Sequence, residues 1–287
     1  MIHRLRWGAA TQLRLGGIWR RAATSEGADV SDLTEVQPIE AGSLQGKRAL
    51  VTGSSRGIGA DTVRYLAQAG ADVVINYRNK APRAEKLATE LRELGVRALV
   101  QGADLTDPAS LANMFGEVQR EYGGLDILVL NASGGMESGM AEDYALTLNR
   151  DAQLAVLDAA LPLLGEGARV VFVTSHQAHF IRTTPTMPEY EPVAVSTRAG
   201  EDALRARIPE LTAKGIEFVV VSGDMIEGTV TATLLNRLNP GALEERREQA
   251  GRLYNVREFA AEVALAAVEP VPADNTRLIG DTSGFNA

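Results

Sequence analysis

The sequence predicts an α/β protein built on one doubly wound parallel sheet of about seven strands, with helices on both faces. Three observations predict it. Short runs such as Ala49-Leu50-Val51, Ile127-Leu128-Val129-Leu130 and Val170-Val171-Phe172-Val173 are apolar throughout, as in strands buried on both faces. Helical stretches separate these runs, and alternating strands and helices demand parallel pairing with right-handed crossovers. The first run leads directly into Thr52-Gly-Ser-Ser-Arg-Gly-Ile-Gly59, a glycine turn between strand and helix.

The elements follow in order from Ser43. The first helix spans Ile58 to Ala69, with Gly70 closing it. Val73-Val74-Ile75 is the second strand, and Pro82 to Leu94 an amphipathic helix ended by Gly95. Ala98-Leu99-Val100 is the third strand. Asp107-Pro108 places a capping acid before a proline at the first helical position, opening a helix to Tyr122. After the fourth strand, Ala141 to Leu163 reads mostly as helix, and the fifth strand follows at 170–173. A helix from Pro192 to Ala213 precedes the sixth strand, Phe218 to Val221. Helical patterns at Thr229–Arg237 and Glu258–Val268 lead to a last strand at Arg277–Gly280.

The totals bound the function. The chain has 287 residues and net charge -8, enough for one large α/β domain, and its acidic balance argues against nucleic-acid binding. It has no cysteine, hence no thiol nucleophile and no thiolate metal site, and no metal is expected. No apolar run approaches the length of a membrane span. A cytoplasmic location is the expectation. The first 42 residues read as an extension outside the 43–287 domain. Arg4, Arg6, Arg14, Arg20 and Arg21 all precede the first acid, Glu26. A transit peptide and a loosely attached extension both fit this start, and weak serine enrichment favours the extension.

Strand, glycine turn and helix form an arrangement that sets a phosphate on a helix N-terminus. Gly53, Gly57 and Gly59 permit the tight turn and the close approach of backbone to a pyrophosphate. In such a dinucleotide fold an acid at the end of the second strand binds the ribose hydroxyls and repels a 2′-phosphate. Here Asn76 is read at that position, followed by Arg78 and Lys80, and the glycine turn carries Arg56. A neutral residue among cations predicts NADP(H).

The spacing Thr-Gly-x-x-x-Gly-Ile-Gly resembles the cofactor loop of the short-chain dehydrogenase/reductases, which have a Rossmann-type fold. The likeness covers Ser43 to about Gly284. It implies cofactor contacts from Gly53, Ser55, Arg56, Gly57, Ile58 and Gly59. It implies an adenine contact at Asp104 and Leu105, a cofactor-bordering turn at Asn131-Ala132, and a nicotinamide contact at Thr229. Ser175 resembles the family's oxygen-polarising serine, Asn149 its helical asparagine, and Tyr190 its acid–base tyrosine.

In that family a lysine on the tyrosine's helix binds the nicotinamide ribose and lowers the tyrosine pKa. The common Tyr-x-x-x-Lys spacing fails, since Ala194 stands four residues after Tyr190. The six-residue spacing of enoyl-acyl-carrier-protein reductases fits, but the lysine position holds Thr197. The only lysines are Lys47, Lys80, Lys86 and Lys214, and Lys214 lies at the far end of the helix. Thr197 can bond a ribose hydroxyl yet brings no charge. The resemblance, to 3-oxoacyl- and enoyl-acyl-carrier-protein reductase-like members, implies reduction of a carbonyl or enoyl group of a small or acyl-thioester substrate. It also implies a homo-oligomer, tetramer or dimer, through the two long helices. The missing lysine keeps open a catalytically weakened dinucleotide-binding protein acting as a redox sensor or partner.

His176 and His179 follow Ser175 as Ser-His-x-x-His and are read as loop histidines at the cleft rim, ahead of a substitute proton donor or half of a metal site that no nearby acid pair completes. Met136, Met140, Met187 and Met225 suit a flexible apolar cleft wall or ordinary packing. Glu142 and Asp143 are read as helix caps.

Overall fold

The computed structural model describes residues 37–285 apart from 137, 138, 140 and 142. The Arg-rich start, Met140 and Glu142 lie outside the described residues. The elements are β1 (Arg48–Val51), α1 (Gly57–Gln68), β2 (Asp72–Tyr77), α2 (Ala81–Arg92), β3 (Ala98–Gly102), α3 (Pro108–Tyr122) and β4 (Leu125–Leu130). Then come α4 (Tyr144–Leu146), a π-turn at Thr147–Asp151, α5 (Ala152–Ala160), β5 (Leu164–Ser175), α6 (His176–His179), α7 (Glu191–Arg205) and α8 (Ile208–Ala213). β6 (Glu217–Gly223), α9 (Val230–Leu238), α10 (Ala242–Ala250), α11 (Val256–Ala266) and β7 (Thr276–Ile279) complete the chain.

All seven strands pair in parallel in the order β3-β2-β1-β4-β5-β6-β7. The order reverses between β1 and β4, and that switch opens a crevice at the strands' C-terminal ends, where ligands bind in such sheets. The expected apolar runs form the centre, with Leu50, Val74, Leu128, Val170 and Val220 fully buried. Asp107 caps α3 as expected, accepting from Ala109 N and Ser110 N, and Gly123 ends that helix at φ 72°.

The structure departs from the sequence reading in particular places. Ile39, which the sequence reading left in the extension before residue 43, is buried. The long helix expected from Pro192 to Ala213 is two helices. Pro209 has no N–H, and its ring would clash with the carbonyl of Arg205, where α7 ends. The helix expected over 141–163 begins at Tyr144 and contains the π-turn. Asp143 stands at its N-terminus but makes no side-chain cap. α10 is a helix the periodicity does not announce. It buries no residue, so it carries no apolar stripe to read.

Candidate active site

The glycine turn builds one wall of the crevice. Gly53 and Gly57 have φ of 63° and 58°, conformations that favour glycine. A Cβ on Gly59 would stand 2.6 Å from Asn131 Nδ2, so α1 can approach β4 only without a side chain there. Arg56 occupies the N-cap of α1, with no side-chain cap bond, and is exposed. No side chain therefore caps the N–H groups of the first turn. Ser55 and Ile58 are half-buried beside them. Thr52 ties this turn to the next. Asn131 N and Ala132 N both donate to Thr52 Oγ1, and Asn131 Nδ2 donates to Thr52 O at 2.9 Å.

Asn76 does not face this crevice as the sequence reading placed it. It is buried, accepts from Gly53 N at 3.0 Å, and donates to the carbonyls of Gln101 and Ala103. Its amide anchors the glycine turn, which leaves it nothing to offer a phosphate. β2 runs on to Tyr77, and the exposed Arg78 follows, donating to Tyr144 Oη with its guanidinium over the Tyr144 ring. Asp104 Oδ1 is taken by Thr106 N and Oγ1, and the Leu105 side chain is in the core, so any ligand contact from Leu105 is through its backbone. Thr229 caps α9, donating to Ile226 O and accepting from Ala232 N, while bordering the cavity.

Ser175 ends β5 and Tyr190 precedes α7, and the two meet with Oγ and Oη 3.2 Å apart. Seven residues advance a helix by nearly two whole turns. Thr197 therefore lies on the same face of α7 as Tyr190, and both border a cavity of about 150 Å³ with Ser175 and Ile58. Asn149 sits in the π-turn, fully engaged. It accepts from Ser133 Oγ and Gly134 N and donates to Gly134 O and Ser196 Oγ. It thus clamps the loop after β4 to α7. Burial pushes the Tyr190 phenol above its ordinary pKa, and the hydrogen bond from Ser175 offsets that only in part. A serine bonded to a phenol at the wall of a cavity can polarise an oxygen and move a proton.

The histidines are not at the rim. His176 is fully buried, Nδ1 lies 2.7 Å from Ser222 Oγ, and Phe180 and Phe285 flank the ring. His179 Nδ1 contacts both oxygens of Glu201 at 2.9 and 3.0 Å. Burial alone would raise the pKa of Glu201, but His179 and Arg205 outweigh it and hold the carboxylate ionised.

Burial, with some help from His179 and Arg246, lowers the His176 pKa from 6.5 to about 4. As pH falls, the unfolded chain takes this proton near 6.5 while the folded chain refuses it until about 4. Stability from this group is complete above 6.5 and is lost between those values, by about 3 kcal/mol. Urea denaturation at pH 7 and pH 4.5 should show this loss in the wild type and a smaller one in His176→Asn. Equal losses in both proteins would refute the assignment.

One residue at the cavity and its partner escape sequence reading. Asp224, buried, borders it, and Arg246 of α10 reaches both Asp224 oxygens at 3.0 Å and also Asp281 Oδ2. The Arg246 guanidinium stands 5.1 Å over Phe285. Ion pairs from Arg246, together with the packing of Leu243 and Ala250 against Met225, Ala232 and Leu253, thus hold α10 in place. Met225 borders the cavity too, with Met136 and Met187 in the apolar clusters beside it. Among the described residues no cluster of three His, Asp or Glu could hold a metal, and no helix is long and apolar enough to cross a membrane.

A parallel sheet with this order and a glycine turn at its switch point define a dinucleotide-binding α/β fold, and a hydrogen-bonded serine–tyrosine pair stands at its strand ends. Residues 47–237 match the short chain dehydrogenase family model, and the chain belongs to that family of oxidoreductases. A short-chain dehydrogenase/reductase of Pestalotiopsis microspora is 39% identical over 142 residues, 47% of this chain and 54% of that protein, so the match spans about half its length. A short chain dehydrogenase from Burkholderia cenocepacia J2315, solved in complex with NADP, superposes with a TM-score of 0.71 at 32% identity, covering 85% of this chain and all of the other. The angucycline C-6 ketoreductase LanV, with bound NADP, superposes at 0.67 and 27% identity, covering 86% and 97%.

Proposed function

We propose that the protein is an NADPH-dependent reductase of a carbonyl, or of an enoyl bond, in an apolar small-molecule or acyl substrate. The observation that carries this reading is the Ser175–Tyr190 hydrogen bond at 3.2 Å, in a cavity that the glycine turn also borders through Ile58.

The residues present fit a dinucleotide. The first turn of α1 is uncapped by any side chain, and Gly59 admits no Cβ. Exposed Arg56 and Arg78 lie on the two loops at the crevice's β1–β2 end and would hold a 2′-phosphate by charge-assisted bonds. Thr197 Oγ1, buried without a partner, borders the cavity where a ribose hydroxyl would be met. When bound, the nicotinamide supplies the hydride. Ser175 Oγ bonds the substrate oxygen and orients it, Tyr190 Oη delivers the proton to that oxygen, and Asn149 keeps α7 in place. The NADP-bound relatives and the ketoreductase among them support the same reading.

A second reading is favoured by one observation. Among the described residues nothing cationic offsets the burial of Tyr190, and Thr197 stands at the position of the family's lysine. Slow turnover, with the protein acting as a dinucleotide-dependent sensor or partner, follows if that charge is indispensable. Fluorescence titration with NADPH and NADH, then turnover on acetoacetyl and crotonyl thioesters and on a neutral ketone, separates the readings. The expected result is tighter binding of NADPH than of NADH, with measurable ketone reduction. Binding without turnover on any of these would leave the sensor reading, and binding of neither nucleotide would sink both. The homo-oligomer that the family resemblance implies would form through the two long helices, and light scattering that returns a monomer mass would remove it.

A further inference from the structure

Thr174 and Thr197 carry the two buried hydroxyls that lack a hydrogen-bond partner among the described residues, and both residues border the same cavity. Each is more than nine-tenths buried. A buried hydroxyl without a partner costs folding free energy, so a protein that keeps two at one cavity is holding them for something else. They stand on different walls. Thr197 is on α7 beside Tyr190, whereas alternation along β5 turns Thr174 to the opposite side of the strand from Ser175. Ile58 and Phe259 border the cavity as well and bring no polar group. Asp224 borders it, but its carboxylate is already taken by Arg246 and Met225 N.

We infer that Thr174 and Thr197 together grip the nicotinamide–ribose half of the bound dinucleotide, one hydroxyl from each wall. This rests on the dinucleotide reading above. It divides the work of the absent lysine. The hydrogen bonds to the cofactor are supplied by two neutral hydroxyls, and the positive charge is not replaced. Thr174 is the new participant, next to Ser175 in sequence but turned away from Tyr190.

The test uses isosteric valines and two probes, NADPH and 2′,5′-ADP, which has no nicotinamide ribose. Thr174→Val and Thr197→Val should each weaken NADPH about three- to tenfold, and the double variant about 30-fold. Affinity for 2′,5′-ADP should stay the same in all three. The melting temperature without ligand should be unchanged or higher, because each valine removes a polar group that had no partner. Unchanged NADPH affinity alongside normal 2′,5′-ADP binding would overturn the inference while leaving the dinucleotide reading intact. So would equal losses for both probes, which would signal general damage to the fold. An effect at Thr197 alone would remove Thr174 from the assignment. Failure of the wild type to bind 2′,5′-ADP would defeat the underlying reading and this inference with it.

Discussion

Replacing Thr197 by lysine should raise kcat/KM by tenfold or more at neutral pH. Burial holds the Tyr190 phenol above its ordinary value of about 10, and only Ser175 opposes that. An adjacent cation lowers such a pKa by about one to three units. In alcohol oxidation the phenolate is the base, so at pH 7 each unit gained raises its population about tenfold. The equilibrium constant at a given pH is set by the reactants, so kcat/KM for reduction rises by the same factor. The pH profile gives the sign independently. The wild-type oxidation rate should climb about tenfold per pH unit through pH 9, and Thr197→Lys should level off earlier. The lysine has space, because Thr197 faces the cavity of about 150 Å³. An unchanged rate together with an unchanged profile would show that the charge is dispensable here. A loss of NADPH affinity would instead show that the threonine hydroxyl cannot be replaced by an ammonium.

The second large effect is expected at Gly200, in the middle of α7. On helix propensity alone, Gly→Ala in a helix interior stabilises by about 1 kcal/mol. Here the sign reverses. A Cβ at Gly200 would stand 2.0 Å from the carbonyl oxygen of Asn149 and 3.3 Å from the Arg150 Cα. These are backbone atoms of the π-turn and have no rotamer by which to yield, so α7 must move away. We expect Gly200→Ala to cost about 3 kcal/mol or more in urea denaturation. Activity should fall further than stability does, since the same movement stretches the Asn149–Ser196 bond and shifts Tyr190 and Thr197 relative to Ser175. A variant within about 1 kcal/mol of wild type, with normal activity, would mean that the helices separate freely.

Gly200 also shows what is hidden in a sequence. One glycine inside a helical stretch reads as a mild weakness, and only its neighbour across the helix pair makes it obligatory. Asn76 is a similar case. Its place near the end of the second strand is legible, but the direction of its amide depends on where Gly53 and the β3 carbonyls arrive. His176 sits beside Ser175 in the chain and far from solvent in the fold, because Phe180 and Phe285 close over it from two separate segments. α10 was invisible because it is held chiefly by single charges, Asp224, Glu227 and Asp281, with only the half-buried Leu243 and Ala250 on its apolar side.

The sequence by itself determined the parallel sheet, the glycine turn and the seven-residue spacing of Tyr190 and Thr197, while the meeting of Ser175 with Tyr190 came from the fold. Uninterrupted apolar runs, glycines at fixed offsets and a near-integral number of helical turns are local properties, and they survive any packing. The tertiary structure alone decided which polar atoms find partners. That choice set Asn76 to anchoring the turn, sealed His176 in the core, clamped α10 with Arg246, and left the hydroxyls of Thr174 and Thr197 free beside the cavity. Hydrogen-bond satisfaction depends on groups distant in the chain arriving within about 3 Å of each other, and no local pattern encodes that arrival.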